Sequence, residues 1–320
     1  MNNSSIQEDV SCPNINKFKT DIFVPTYITV FIFGFIQNVF CLYIFLKLFK
    51  RKTAFSIVMV NLAISDLLFV CTLPWRVHYY LNDSKWKLSH AFCIILTYAL
   101  YLNMYCSIYF LTLISVLRYF AVVHPMKCLK YRNVRSVQIM CVAVWVFVGA
   151  VSSPLQFSSY KTTNEAREKC FEFTNALSQI YPMNLFSLIV GCIIPFFTIT
   201  VCYIFVVKTL LTSKITHHQQ VSSRRKAVAV IIIVTIIFLT SFLPYHIIRT
   251  AYLTLMSNKK TASPAFCFVQ IGSVVTLCIA AINPCLDPFL YYFAAENFRD
   301  KLTSTLQNIL KVVPLAINQT

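Results

Sequence analysis

A chain of 320 residues that is 58% hydrophobic, 12% charged and nearly devoid of glycine is not composed like a soluble enzyme; its long apolar runs place it in a membrane. The formal charge of +17 does not make it a binder of nucleic-acid polymers. The basic residues are divided among short loops, with no soluble module between them to shape a groove.

Seven apolar stretches follow a polar start, at 23–46, 55–80, 91–123, 136–156, 181–211, 227–256 and 266–293. Each is long enough for the roughly 20 residues that cross about 30 Å of hydrocarbon. The expected fold class is an all-α membrane protein: a seven-transmembrane helix bundle over 23–293, an extracellular amino terminus over 1–22, and a cytoplasmic tail over 294–320. That tail reads as a short amphipathic helix on the inner membrane surface. Met1 to Thr20 show no cleavable signal, so the first helix is expected to be its own insertion signal. Basic clusters follow helices 1 and 3 (Lys47, Lys50, Arg51, Lys52; Lys127, Lys130, Arg132, Arg135), and another joins helices 5 and 6 (Lys214, Arg224, Arg225, Lys226). They put those loops in the cytoplasm beside anionic membrane lipids and the amino terminus outside, in a multi-pass plasma-membrane protein.

Ahead of helix 1, Asn2 and Asn3 stand in overlapping N-x-S patterns, and Asn82 repeats the pattern after helix 2; these are candidate glycosylation sites. Helix 2 carries Asp66 at mid-depth. An acid does not enter hydrocarbon without a structural or functional reason. Asn103 and Ser107 on helix 3 and Asn283 on helix 7, with Asn38 on helix 1, lie at depths close to it. Such oxygens suit a hard cation, sodium in particular, together with ordered water. The plainer alternative is a hydrated seam that only keeps the helices in register. No cofactor is called for.

Arg76 lies ten residues beyond Asp66, about 15 Å nearer the outside by helical rise. On helix 3, Tyr98, Tyr101 and Tyr105 recur at i, i+3 and i+7, so one face can present them together. Helix 6 adds Tyr245, His246 and Arg249 in its outer half. Two arginines opposite an aromatic wall describe a pocket for a molecule with acid groups and an apolar body. An ordinary interfacial belt of Tyr and Arg is the competing account. It deals poorly with tyrosines repeated on one deep face.

At the inner ends, Arg118 and Tyr119 close helix 3, as a snorkelling anchor or as groups that must move when helices separate. Phe242 and Pro244 form a candidate pivot in helix 6, and Tyr203 of helix 5 is placed to meet Tyr291 through water if both face inward. Asp287 opens Asp287-Pro288-Phe-Leu-Tyr291, where proline weakens the helical ladder. Of thirteen cysteines, four face outward: Cys12, Cys93, Cys170 and Cys267. Spacing leaves three pairings. One of them joins Cys93 to Cys170 across the cavity mouth and Cys12 to Cys267.

Receptor and transporter both fit a polar-centred bundle. Neither a repeat between halves nor short broken spans favours transport, and no Walker, zinc or acyl-transfer pattern favours an enzyme. His217 and His218, without an accompanying Cys or acid, read as loop charge.

Asn61-Leu-Ala-Ile-Ser-Asp66, Cys93, Leu117-Arg118-Tyr119, Trp145, Pro195, Tyr203, Phe242-Leu-Pro244 and Asp287-Pro-Phe-Leu-Tyr291 together resemble the rhodopsin-like G-protein-coupled receptors over about 20–305. Thr72-Leu-Pro-Trp-Arg76, the run from Tyr101 to Thr112, His124-Pro125, the run from Phe242 to Thr250 and Tyr291-Tyr-Phe-Ala-Ala-Glu-Asn-Phe-Arg are similar to the cysteinyl leukotriene receptors, most closely their type 2 branch. The resemblance implies activation by cysteinyl leukotrienes or another anionic lipid, with Arg76 and Arg249 in the ligand region and Tyr101 in the wall between. It also implies a heterotrimeric G protein as partner, commonly Gq with calcium release, with arrestin as a further one. Nucleotide receptors share much of the pattern. The chain departs from the broad family at Gln37, Leu117 and Asp287, where glycine, an acid and asparagine are usual. Leu117 also matches the hydrophobic residue of the type 2 branch. These departures bear on helix contact, on the restraint of Arg118 and on the charge of the seam.

Overall fold

The computed structural model describes residues 14–48, 53–124, 133–159, 170–171, 177–212, 228–230, 232–259, 263–294, 303–304 and 307, with backbone alone at 48, 155–159 and 293–294. Among these residues seven helices are long and apolar enough to cross a membrane: α1 (Ile15–Lys47), α2 (Ala54–Leu81), α3 (His90–Val123), α4 (Val134–Pro154), α5 (Leu177–Thr212), α6 (Val228–Ser257) and α7 (Pro264–Tyr292). Most of the basic loops, His217 and His218, Cys12, Asn2, Asn3 and nearly all of the tail lie outside the described residues.

Polar caps set the helix starts. α1 begins at Ile15, ahead of the apolar stretch that opens at 23, because the Asn14 side chain accepts from the backbone N–H groups of Asn16 and Lys17. This adds about two turns of helix above the hydrocarbon. Thr53 and Ser56 form a reciprocal capping box at the start of α2. Ser89 and Ser263 cap α3 and α7, the latter with Pro264 in the first turn, where its missing N–H costs nothing.

Prolines shape the spans. A proline has no N–H for the carbonyl four residues back and clashes with it, so the preceding turn must widen or break. Before Pro195 and Pro244 it widens, into π-turns at Ile189–Ile193 and Phe238–Phe242. In α2 the helix breaks at Cys71 and Thr72, just ahead of Pro74, and Thr72 Oγ1 closes the break on Phe69 O at 2.7 Å. In α4 the carbonyl of Ala150, orphaned by Pro154, takes a bond from Ser153 Oγ.

α3 is the central strut, packed against α2, α4 and α5. Its residues Cys106, Ser107, Ile108, Phe110, Leu111, Ile114 and Ser115 are wholly buried. Trp145 of α4 donates through Nε1 to Asn61 Oδ1 of α2 at 2.9 Å. On the outer surface of α4, Ile139, Val142 and Val146 are 60–69% exposed. Such apolar exposure fits hydrocarbon solvent.

Candidate functional site

The break in α2 turns Arg76 into the bundle, where it is 2% exposed. Its Nη2 donates to Leu96 O on α3 at 2.8 Å, Tyr27 of α1 is a near neighbour, and its guanidinium carbon lies 4.2 Å from the Phe171 ring centroid. Phe171 is held there because its neighbour Cys170 is bridged to Cys93 at the top of α3, with Cα atoms 5.8 Å apart. Cys267 is also disulfide-bonded, while Cys12 lies outside the described residues.

Arg249 enters from α6. It is half-buried, and its Nη2 meets Tyr101 Oη at 3.4 Å, a long contact. Arg76, Arg249, Tyr101, Tyr245 and Phe171 all line one cavity of about 230 Å³. A smaller space of about 50 Å³ continues from Tyr101, Tyr245 and Arg249 past Tyr105 to Ser152 of α4 and Ser187 of α5. Asn184 and Thr250, hydrogen-bonded at 2.8 Å, tie α5 to α6 beside it.

Not every expected pocket residue faces this cavity. Tyr98 turns to α4 and donates to Gly149 O at 2.9 Å, so it is a helix tie and not part of the wall. His246 is buried beneath the floor, with Nδ1 on Phe242 O at 2.8 Å and its ring against Tyr105 and Tyr245. Its Nε2 has no hydrogen-bond partner among the described residues. Sequence reasoning missed Asn16 and Lys19, which the early start of α1 brings to the cavity mouth, and Gln270 and Ser273 on α7. It also missed Gly191, where any Cβ would strike the Tyr105 ring. An unaccompanied glycine in an apolar span was the available signal.

A polar seam runs deeper. Asn103 Nδ2 donates to Asp66 Oδ1 at 3.0 Å and to Ser65 Oγ at 3.2 Å, and Asn283 Nδ2 donates to Asp287 Oδ2 at 3.0 Å. The two carboxyl groups are neighbours in this seam. Among the described residues, Asp66 Oδ2, Asp287 Oδ1, Asn283 Oδ1 and Ser107 Oγ accept no hydrogen bond. Asn38, at similar depth, instead donates to Pro284 O.

At the far end the Arg118 guanidinium carbon sits 4.0 Å from the Phe55 ring centroid, and Tyr119 Oη is 3.1 Å from His124 Nε2. Tyr203 does not turn to Tyr291. Its hydroxyl lies 2.8 Å from Ser115 Oγ on α3, and because Ser115 gives its own proton to Leu111 O, Tyr203 is the donor. Tyr291 packs edge-on to Phe45 of α1. Phe242 closes the π-turn ahead of Pro244 and meets Phe238, which stacks on Phe196 of α5. Asn82 ends α2 with its amide on His78 O at 2.7 Å.

Residues 37–291 match the model of the 7 transmembrane receptor (rhodopsin family). The chain is 41% identical to cysteinyl leukotriene receptor 2 of Homo sapiens over 296 residues, 92% of this chain and 84% of that protein. It is 41% identical to cysteinyl leukotriene receptor 1 of Mus musculus over 294 residues, 91% of this chain and 83% of that one. The uracil nucleotide/cysteinyl leukotriene receptor of Mus musculus is 32% identical over 305 residues, 95% and 88% of the two chains.

Proposed function

Because the chain belongs to the rhodopsin family of seven-transmembrane receptors, and is thus a multi-pass membrane protein and not an enzyme, we propose that it is a G-protein-coupled receptor whose ligand is a cysteinyl leukotriene. The observation that carries this reading is the convergence of Arg76 and Arg249 on one aromatic-walled cavity that continues toward α4 and α5. Two guanidinium groups recognise carboxylates. The continuation gives an apolar tail somewhere to run, which a nucleotide does not need. The cavity of about 230 Å³ is smaller than the about 300–1,000 Å³ usual for small-molecule sites, so a long conjugate must use that continuation as well. The names of the relatives point the same way.

The end bearing Arg118 is the cytoplasmic one in this reading, and the disulfide end faces an oxidising exterior. Outward movement of α6 about Pro244 opens a groove there for the terminal helix of a G protein, Gq in the first instance, with arrestin as a later partner. The unpaired oxygens of Asp66, Asp287, Asn283 and Ser107 hold a sodium ion and water in the inactive arrangement.

A second reading, a nucleotide receptor, is favoured by the same two arginines and by the name of the third relative. One experiment separates them. Cells lacking endogenous receptors are given this chain and exposed to leukotrienes C4, D4 and E4 beside ATP, ADP, UTP and UDP-glucose, with calcium release recorded. Saturable responses to the leukotrienes alone support the proposal; a response to nucleotides alone overturns the ligand while leaving the family intact.

A further inference from the structure

On the outward face between α5 and α6 an open groove of about 610 Å³ runs toward the Arg118 end of the bundle. Ile204, Val207 and Leu211 of α5 and Leu239 of α6 line it and are 40–81% exposed. Tyr203 and Phe238 form its inner wall, the former being the residue whose hydroxyl reaches Ser115 on α3. Near the end of α5, the one charged group among the described residues that line the groove is the exposed Lys208, a turn before Thr212. Its volume falls within the about 300–1,000 Å³ typical of small-molecule sites.

In water such a surface would be an unexplained apolar patch. In a bilayer it faces acyl chains, and a cation at its end selects among the lipids that carry them. Ammonium at the membrane boundary attracts phosphate and carboxylate head groups, and the four-carbon stem of lysine can reach the interface from below it. We propose that this groove seats an acyl chain of an anionic glycerophospholipid whose head group pairs with Lys208. The chain then packs on Tyr203, the side chain that ties α5 to α3. The inference rests on the membrane placement proposed above and is independent of the identity of the agonist.

The full chain, one copy per nanodisc, is placed in phosphatidylcholine containing a small fraction of phosphatidylserine with a photoactivatable diazirine in its acyl chain. Adducts are mapped by peptide mass spectrometry after illumination. They are expected to concentrate at 199–211 and 235–239 and to fall when unlabelled phosphatidylserine, but not phosphatidylcholine, is added in excess. Lys208→Ala should lower them about fivefold, the worth of one basic residue near an anionic surface, and Lys208→Arg should restore them. Ile204→Trp, which fills the groove, should abolish them without lowering the melting temperature. Three results overturn the proposal: adducts spread equally onto Ile139 and Val142 of α4, competition by phosphatidylcholine equal to that by phosphatidylserine, or competition by free oleate equal to that by phosphatidylserine.

Discussion

The Asn38 side-chain amide donates to the carbonyl oxygen of Pro284 at 2.9 Å, so a residue of α1 supplies the hydrogen bond that Pro288 cannot give four residues further along α7. The same nitrogen also reaches Gly34 O at 2.9 Å. Close approach of the helices makes this possible. An ideal Cβ on Gly34 would lie 3.1 Å from Val70 Cγ2 and 3.6 Å from both Pro284 Cβ and Cys285 Sγ, which leaves little room for any side chain. The small residue that lets α1 pack is thus Gly34, one turn before Gln37, where glycine is usual in the family.

Asn38→Ala should therefore strand a buried carbonyl, at a cost of about 1–3 kcal/mol. In the purified receptor this should appear as a lowered melting temperature without loss of the Cys93–Cys170 bridge. An unchanged melt would show that Pro284 O finds another donor.

The bond from Tyr203 to Ser115 makes a second test, because it is the direct tie between α3 and α5 close to Arg118. Tyr203→Phe and Ser115→Ala should each alter agonist potency by the worth of one neutral hydrogen bond, about 0.5–1.5 kcal/mol. The double variant should match either single one, since both remove the same contact. Additive effects in calcium dose responses at equal surface density would place the two residues in separate roles.

The seam supplies a third. If Asp66 and its neighbours coordinate sodium in the inactive bundle, sodium and agonist must oppose one another reciprocally. Agonist affinity should weaken as sodium replaces choline at constant ionic strength, and Asp66→Asn should flatten that dependence. Asp287→Asn should reduce it too, because the two carboxyl groups adjoin. Equal slopes in all three proteins would leave the seam as structural hydration.

How much of this is legible without coordinates depends on how local the cause is. Helical rise fixes depth, so Asp66, Asn103 and Asn283 could be brought to one level and Arg76 and Arg249 to another. Spacing also fixes angle, yet it does not say which neighbour a face meets. Tyr98 and Tyr105 point to nearly the same side of α3 because seven residues are almost two turns. Tyr98 is claimed by the Gly149 carbonyl of α4, whereas Tyr105, deeper, lies against the gap that Gly191 leaves in α5. Tyr203 shows the same limit, since its partner is Ser115, one turn before Arg118 and distant in sequence. The early start of α1 was missed because hydropathy marks where hydrocarbon begins, while the Asn14 cap marks where the helix begins.

The two arginines of the cavity are not equivalent, and this gives the last prediction. Arg76 is buried and already engaged by Leu96 O and the Phe171 ring, so it holds α2, α3 and the disulfide-linked loop together before any ligand arrives. Arg249 is half-buried and, among the described residues, its one hydrogen-bond contact is the long one to Tyr101 at 3.4 Å, so its guanidinium can turn to a ligand. Arg249→Ala should leave surface expression near normal and weaken binding of a labelled leukotriene by about 2–5 kcal/mol, much of it from leaving a carboxylate unpaired. Arg76→Ala should weaken binding as well, but with a drop in surface expression and melting temperature, because it unties Phe171 and opens a buried space. Arg76→Lys should recover less than Arg249→Lys, since a lysine has neither the planar face for Phe171 nor the fork that reaches Leu96 O. Matching losses of expression for the two alanine variants, or full binding by Arg249→Ala, would remove the assignment of Arg249 as the group that meets the ligand acid.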